Sequence, residues 1–206
     1  MAINVKKLLA DALLELSEEK PIAKISVTDI VKRAGAGRQT FYNHFEDKND
    51  LLYWIYKQTL MGEQRILSEE GFYAYLCSVY RVAQSKYRNF LKEACALTGQ
   101  NSLADAIIYQ SYSYYRNIIL RRFGEEVFDE RLNFALRYQS YGAGYRYLDW
   151  ALQGMPGSPE QEVLYAMECM PAIMKQYLPL TEADIKIFEA MPTPQLRVNQ
   201  NLCKPE

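Results

Sequence analysis

Few residue types in this 206-residue chain could support catalysis or bind a metal. There is one histidine, His44, and none of the cysteines lies near it in sequence. A structural zinc site needs clustered ligands, and the four cysteines are scattered, with no C-x-x-C pair. These cysteines are Cys77, Cys95, Cys169 and Cys203. We therefore expect no metal site and no cofactor, with reduced thiols in a cytosolic protein.

Other catalytic patterns are equally weak. The sequence has no phosphate-binding glycine loop and no nucleophile that pairs with a general base. The neighbouring carboxylates Glu125 and Glu126 lie at a predicted helix start, where acids complement the helix dipole. A small helical enzyme is therefore the least favoured of three functional hypotheses, and we predict no catalytic residues.

The composition also limits which classes of protein the chain can belong to. The net charge is −1 and hydrophobic residues make up 49% of the chain, so a sizeable core is possible. Nucleic-acid-binding domains are usually basic, and the charge of the whole chain gives no such indication. No signal-peptide pattern opens the chain and no apolar run approaches the ~20 residues that span a bilayer. We expect a cytoplasmic protein without membrane contact.

The hydrophobic pattern predicts helices throughout, and hence an all-α fold. Val5, Leu8, Leu9, Ala12, Leu13 and Leu16 form an apolar stripe with helical spacing. Ser26 begins a capping box with Asp29, and Ser102 and Ser158 can cap later helices. We predict long helices from Lys48 to about residue 66, over about 130–153, and over about 159–178 with a kink at Pro171. A last short helix is expected from Thr181.

Two short helices joined by a glycine-containing turn lie between Ser26 and Phe45. This is the helix-turn-helix pattern, although an ordinary corner between two core helices has the same spacing. The outer face of the second helix separates the two interpretations. At 100° per residue, Phe41 and Phe45 point to the core, while amide, hydroxyl, phenol and imidazole groups point outwards. Between residues 20 and 48, six Lys/Arg outnumber three acids, so the local charge favours a DNA-reading helix.

This stretch resembles the DNA-binding domain of the tetracycline-repressor (TetR) family. The similarity rests on I-S-V-T-D-I-V (25–31), A-G-A-G (34–37), T-F-Y-N-H-F (40–45) and K-N-D-L-L (48–52), and extends over about residues 3 to 55. One departure is Gly37, where the family usually has a serine that caps the recognition helix. A glycine cap costs only a few tenths of a kcal/mol relative to serine, but it lacks the hydroxyl that could contact phosphate.

The resemblance implies specific DNA contacts. Thr28, Tyr42, His44 and Lys48 map to positions that hold the phosphate backbone, and Arg38, Gln39, Thr40 and Asn43 map to positions near base edges. These side chains also suit the chemistry, because Gln and Asn can bond adenine and Arg can bond guanine in the major groove. The family binds as dimers, which implies a near-palindromic double-stranded operator with half-sites about 34–36 Å apart.

The C-terminal part resembles the family less closely. The run from Tyr141 to Glu162, with its G…W-x-x-x-G…S-P-E pattern, and T-G-Q-N-S-L (98–103) are similar to a subgroup that includes dihydroxyacetone-kinase regulators. This similarity identifies a domain type and no ligand. In the family the last two long helices form a four-helix dimer interface, here residues 130–153 and 159–178. We expect Gly142, Ala143, Ala151 and Ala166 to permit close approach, and Met167, Met170 and Met174 to fill gaps.

Tyrosine is abundant, with 17 residues. A cavity lined by some of them would suit a small aromatic or amphipathic ligand. The candidates are Tyr109, Tyr112, Tyr138, Tyr141 and Tyr145. Core, surface or interface positions are the alternative for each tyrosine, because residues one or two apart on a helix cannot share a face.

Together these patterns predict a three-helix DNA-binding domain (1–50), joined by a long helix to a helical regulatory and dimerisation domain (51–191), and a disordered tail (192–206). The leading hypothesis is a dimeric transcriptional repressor whose operator binding responds to a small molecule. The second is a helix-turn-helix protein that organises DNA or co-regulates through protein contacts, without a ligand.

Overall fold

The computed structural model describes residues 4–60, 71–99 and 101–178, and these residues fold into helices without a strand. The all-α fold class is therefore confirmed. The helices are α1 (Val5–Glu19), α2 (Val27–Arg33), α3 (Arg38–Tyr42), α4 (Lys48–Leu60), α5 (Phe72–Lys86), α6 (Arg88–Cys95), α7 (Leu103–Phe123), α8 (Glu130–Leu152), α9 (Pro159–Glu168) and α10 (Ala172–Lys175). Short 3₁₀ turns at Ile22–Lys24 and Glu125–Val127 precede α2 and α8.

Local capping chemistry explains where the helices begin. The Ser26 hydroxyl accepts from the Asp29 backbone N–H, and the Asp29 carboxylate accepts from the Ser26 backbone N–H, which completes the predicted capping box. The Ser102 and Ser158 hydroxyls cap α7 and α9 by accepting from the backbone N–H groups of Asp105 and Gln161, and α9 also has a proline in its first turn. Gly35 (φ +63°) follows α2 and Gly124 (φ +81°) follows α7, in a conformation that glycine adopts without strain.

One predicted element differs from the structure, and three others are not described by it. The helix expected over 159–178 is interrupted, because Pro171 has no N–H to donate and its ring disfavours helical geometry at the residue before it. Pro171 instead precedes a separate one-turn helix, α10. The end of the long helix beyond residue 60, the helix from Thr181 and the tail at 192–206 lie outside the described residues.

The packing places the N-terminal helices directly on the C-terminal ones. One hydrophobic cluster contains Leu9, Phe41 and Leu52 from the N-terminal region together with Leu91 of α6 and Trp150 of α8. A second cluster joins α5, α7, α8 and α9. The three-helix unit is therefore fixed to α6 and to the C-terminal half of α8 by buried apolar surface. Among the described helices, none combines the length and apolar content needed to cross a membrane.

Candidate nucleic-acid interface

The buried face of helix α3 is anchored by aromatic packing. Phe41 is fully buried and Phe45 nearly so, and their ring centroids lie 5.7 Å apart. Trp54 of α4 packs edge-on against Phe45. The helix has only five residues, yet backbone hydrogen bonds from His44 and Phe45 to the Phe41 carbonyl extend its last turn. A short helix of this kind depends on its anchors, because isolated helices below ~12 residues are marginal in water.

The opposite face of α3 is polar and open to solvent. Arg38, Gln39, Tyr42 and Asn43 are exposed, and Tyr42 retains 47% of its accessible surface. Thr28 at the start of α2 is exposed as well. The remaining predicted residues, Thr40, His44 and Lys48, are half-buried. The structure thus brings all eight predicted contact residues to one region, with five of them well exposed.

Arg38 joins Thr28 and Tyr42 in a small polar cluster. One Arg38 guanidinium nitrogen donates to the Thr28 hydroxyl at 3.3 Å and another donates to the Tyr42 hydroxyl at 3.4 Å. The family resemblance places Arg38 near base edges, whereas the structure groups it with the two residues assigned to phosphate. Arg38 forms no ion pair with any described residue. Its charge is therefore available to an anion from outside the chain.

Gln39 and Asn43 lie one turn apart and form a second pair. The Gln39 amide nitrogen donates to the Asn43 amide oxygen at 3.0 Å. This bond uses one donor and one acceptor, and each amide keeps further groups for a partner. A pair that is already ordered loses less side-chain entropy on binding than two free side chains.

Charge on this surface is partly neutralised within the chain. Lys20 pairs with Asp29 at 3.1 Å, and Arg33 pairs with Glu19 at 2.8 Å. Among the described residues, Lys24 and Lys32 have no ion-pair partner, like Arg38. Three exposed cations of the N-terminal domain therefore lack an ion pair, which supports attraction to a polyanion.

Lys48 stabilises the turn before α2, a role that its sequence position did not indicate. Its ammonium donates to the backbone carbonyls of Ile22 and Ile25, at 2.8 and 3.0 Å. Partial burial lowers the Lys48 pKa from its usual value of 10.5. Two of its three ammonium protons are thus used to fix the turn before α2, and one remains for a phosphate.

Sequence reasoning missed Glu93 on α6. Its carboxylate accepts from the Ile22 backbone N–H at 2.6 Å, across 71 residues of sequence. Ile22 is fully buried, so both of its backbone groups are satisfied by charged side chains from other helices. No local pattern could have identified this contact, because it depends on how α6 packs on the N-terminal unit.

The five predicted ligand tyrosines lie on the outside of the molecule. Tyr109, Tyr138, Tyr141 and Tyr145 are 56–69% exposed, and Tyr112 is half-buried. Four of them, all except Tyr138, line a groove of about 360 Å³ between α7 and α8. These residues do not form a buried cage, because successive tyrosines on α7 and α8 point to different sides of each helix.

The outer face of α8 carries an aromatic stripe. Phe134, Tyr138, Tyr141 and Tyr145 follow helical spacing and are all more than half exposed, and Phe134 stacks on Tyr138. A groove of about 590 Å³ lies between this stripe and Tyr165 of α9. Exposed apolar surface of this kind is typical of a protein–protein interface.

Some residues expected in that interface lie elsewhere. Met167, Met170 and Met174, as well as Ala151, are buried in the core of the single chain, so their assignment as interface residues was wrong. Met167 lies on α9, Met174 on α10, Met170 between these two helices and Ala151 on α8. Gly142 is exposed, while Ala143 and Ala166 line the outer groove and remain available for close approach.

The anchored short helix, its polar outer face and the preceding capped helix define a helix-turn-helix domain. Residues 9–53 match the family described as bacterial regulatory proteins, tetR family. Residues 9–53 therefore match the DNA-binding domain of this family, which confirms the resemblance recognised in the sequence.

Similar proteins extend this comparison. The chain is 39% identical over 56 residues to the HTH-type dhaKLM operon transcriptional activator DhaS of Lactococcus lactis, covering 27% of this chain and 30% of that protein. It is 43% identical over 44 residues to the uncharacterized HTH-type transcriptional regulator YvdT of Bacillus subtilis, covering 21% and 23%. The chain thus matches less than a third of the length of these relatives.

A solved structure shares the fold over a much longer range. The dihydroxyacetone kinase operon activator DhaS superposes with a TM-score of 0.60, covering 86% of this chain and 99% of that one, at 20% sequence identity. The helical architecture of the C-terminal part is therefore shared, while its side chains have diverged.

Proposed function

We propose that this protein is a dimeric transcriptional regulator that binds a near-palindromic DNA operator through α3. The observation that carries the proposal is the exposed polar face of α3, on which Arg38 forms no ion pair with any described residue. Residues 1–50 form the DNA-binding unit in this proposal, and residues 51–191 form the regulatory and dimerisation unit.

The side chains divide into two roles. Arg38, Thr28 and Tyr42 hold phosphate oxygens, since a guanidinium and two hydroxyls already converge there. Gln39 and Asn43 contact base edges, since their amides carry donors and acceptors in a fixed relative position. Thr40 and His44 flank these groups, and the remaining ammonium proton of Lys48 donates to the DNA phosphate backbone.

The proposed dimer uses the aromatic stripe on α8 and the groove beside α9. A regulator with one short recognition helix per chain needs two half-sites for useful affinity. The stripe offers the apolar area for that association. Phe134→Arg should shift the protein to monomer in sedimentation analysis, whereas Val82→Arg, at an exposed apolar position on α5, should not.

We propose repression as the direction of regulation, because a dimer bound across a promoter obstructs polymerase. The relative from Lactococcus lactis is named an activator, and activation is therefore the competing outcome. A reporter driven by the bound promoter distinguishes the two, since its signal falls with a repressor and rises with an activator.

Fluorescence anisotropy tests the DNA-binding proposal. DNA selected from a random pool, and DNA upstream of the protein's own gene, should bind with affinity that falls steeply as salt rises. Asn43→Ala or Gln39→Ala should change sequence preference by about 1–3 kcal/mol. Arg38→Ala should weaken binding to all sequences and reduce the salt slope by about one.

Two results would contradict this assignment. Binding without sequence preference, or no binding to any selected DNA, would remove the proposed function. Equal losses on selected and random DNA for both groups of variants would show that α3 is not divided as proposed. Tyr177→Phe, which packs against Phe123 and not against α3, provides a control variant outside the proposed interface.

A further inference from the structure

A small cavity lies among the C-terminal helices, and it shares only Ala143 and Ala166 with the groove between α8 and α9. It has a volume of about 80 Å³, and its walls come from α4, α5, α7, α8 and α9. Six tyrosines contribute to the lining, together with apolar residues. These tyrosines are Tyr56, Tyr75, Tyr80, Tyr114, Tyr115 and Tyr147.

Three of the lining hydroxyls lack a hydrogen-bond partner. Tyr75, Tyr114 and Tyr147 are more than nine-tenths buried, and none of their hydroxyls bonds to a described group. The Tyr75 and Tyr114 rings stack at 5.5 Å, and their hydroxyls are near enough to influence each other's pKa without meeting hydrogen-bond geometry. Buried polar atoms are normally satisfied, so three orphans around one cavity indicate a missing partner.

The protonation state of these hydroxyls suits a neutral ligand. Burial raises the pKa of Tyr75 and of Tyr147 above the usual value of 10, so each keeps its proton at physiological pH. Each hydroxyl can therefore both donate and accept. This matches a ligand that carries hydroxyl or carbonyl groups.

Charge and volume narrow the ligand class. Among the described residues that line the cavity, none is charged, and burial of an unpaired ion there would be costly. A cavity of about 150 Å³ holds benzene and a water occupies about 30 Å³ in the liquid. A space of about 80 Å³ therefore corresponds to two or three waters, or to a chain of about three carbons with its hydroxyls.

We propose that this cavity binds a small, uncharged, hydroxylated compound of about three carbons, through the hydroxyls of Tyr75, Tyr114 and Tyr147. This proposal places the ligand in the cavity and not at the exposed tyrosines predicted from the sequence. It also specifies a polar ligand where the sequence suggested an aromatic or amphipathic one. Its regulatory meaning rests on the proposed DNA-binding function, but binding of the compound itself does not.

Glycerol is the probe, and isothermal titration with the full chain is the measurement. Wild-type protein should bind glycerol saturably. Tyr147→Phe should weaken that binding about five- to tenfold, which corresponds to one lost hydrogen bond. Tyr177→Phe, whose ring packs against Phe123 outside the cavity, should bind like the wild type. Sorbitol, which is too large, and lactate, which is charged, should not bind.

Thermal shift separates a ligand site from general stabilisation by polyols. Excluded polyols stabilise all variants alike, whereas specific binding adds a shift that only the wild type and Tyr177→Phe show. If the wild type gives no heat of glycerol binding, or if Tyr147→Phe binds glycerol as tightly as the wild type, the proposal is overturned. Bound water would then be the partner of these hydroxyls.

The DNA measurement then identifies which proposal fails. Glycerol binding that changes operator affinity supports both. Glycerol binding that leaves operator affinity unchanged supports the site and contradicts modulation of DNA binding by this ligand. Operator binding with no response of the cavity to glycerol contradicts the ligand site alone.

Discussion

The contact between Glu93 and Ile22 should control how firmly the DNA-binding unit is attached. The Ile22 N–H donates to the Glu93 carboxylate at 2.6 Å, and the Ile22 carbonyl accepts from Lys48 at 2.8 Å. The turn before α2 is thus held from α6 and from α4 at the same residue. Glu93→Ala would leave a buried backbone N–H without a partner.

The magnitude follows from hydrogen-bond energetics. An unsatisfied buried donor costs about 1–3 kcal/mol, and a bond to a charged acceptor contributes about 1 kcal/mol more than a neutral one. We therefore expect Glu93→Ala to lower the free energy of unfolding by about 2 kcal/mol. Glu93→Gln, which keeps an acceptor oxygen, should lose about 1 kcal/mol. For a chain of 150–250 residues, each 1 kcal/mol lowers Tm by about 2–4 °C.

Urea unfolding of the three proteins measures this prediction, with Lys92→Ala as the control. Lys92 is exposed on the same helix, and its removal should change stability by no more than about 0.5 kcal/mol. If Glu93→Ala unfolds within 0.5 kcal/mol of the wild type, the contact does not hold the turn and the reasoning is refuted. If Glu93→Ala and Glu93→Gln are equal, charge contributes nothing to the bond.

Three further predictions concern local features. Gly37 has extended backbone (φ −90°, ψ 158°) and room for a side chain. Gly37→Ser should raise the free energy of unfolding by a few tenths of a kcal/mol, because serine can cap α3, and should tighten DNA binding. Gly37→Ala, which cannot cap the helix, should lower stability in thermal unfolding. Hydrogen bonds from Ser26 lower the pKa of Asp29 to about 2, below its unfolded value near 4. The ionised Asp29 carboxylate therefore stabilises the fold above pH 4, and this stabilisation is lost as the pH falls towards 2. In an acid titration, the stabilities of Asp29→Asn and the wild type should become equal near pH 2. A Cβ on Gly144 would lie 3.0 Å from the Ile108 side chain and 3.3 Å from its Cα, so Gly144→Ala should lower the free energy of unfolding by about 1–3 kcal/mol. A Cβ on Gly142 meets nothing within 4 Å among the described residues, so Gly142→Ala should keep the monomer fold in the same melting assay.

Local chemistry explains what the sequence predicted well. Ser26, Ser102 and Ser158 begin helices because a side-chain oxygen can satisfy an N–H of the first turn wherever the chain enters a helix. The paired spacing of Phe41 and Phe45 likewise determines which face of α3 is buried. These features depend on residues three or four positions apart, so a single sequence contains them.

Long-range packing explains what the sequence did not predict. Adjacent residues Tyr114 and Tyr115 both lie in the interior, and Tyr112 and Tyr109 lie further out on the same helix. Which tyrosine faces a cavity depends on the neighbouring helices, and periodicity does not specify them. The ammonium of Lys48 finds backbone carbonyls for the same reason, because its partners are more than 20 residues away in sequence.

The arrangement of α4 and α6 gives a physical route between the cavity and the DNA-binding unit. Tyr56 of α4 lines the cavity, and Lys48 at the start of the same helix holds the turn before α2. Tyr147 belongs to the hydrophobic cluster that also contains Leu91 of α6, the helix whose Glu93 holds the other side of that turn. We propose that a ligand that shifts either helix would act through Ile22, which both helices contact. By linkage the DNA must weaken or strengthen ligand binding by the same factor. Glu93→Ala should consequently reduce the mutual effect of glycerol and operator while leaving the affinity for glycerol unchanged, because Glu93 does not line the cavity.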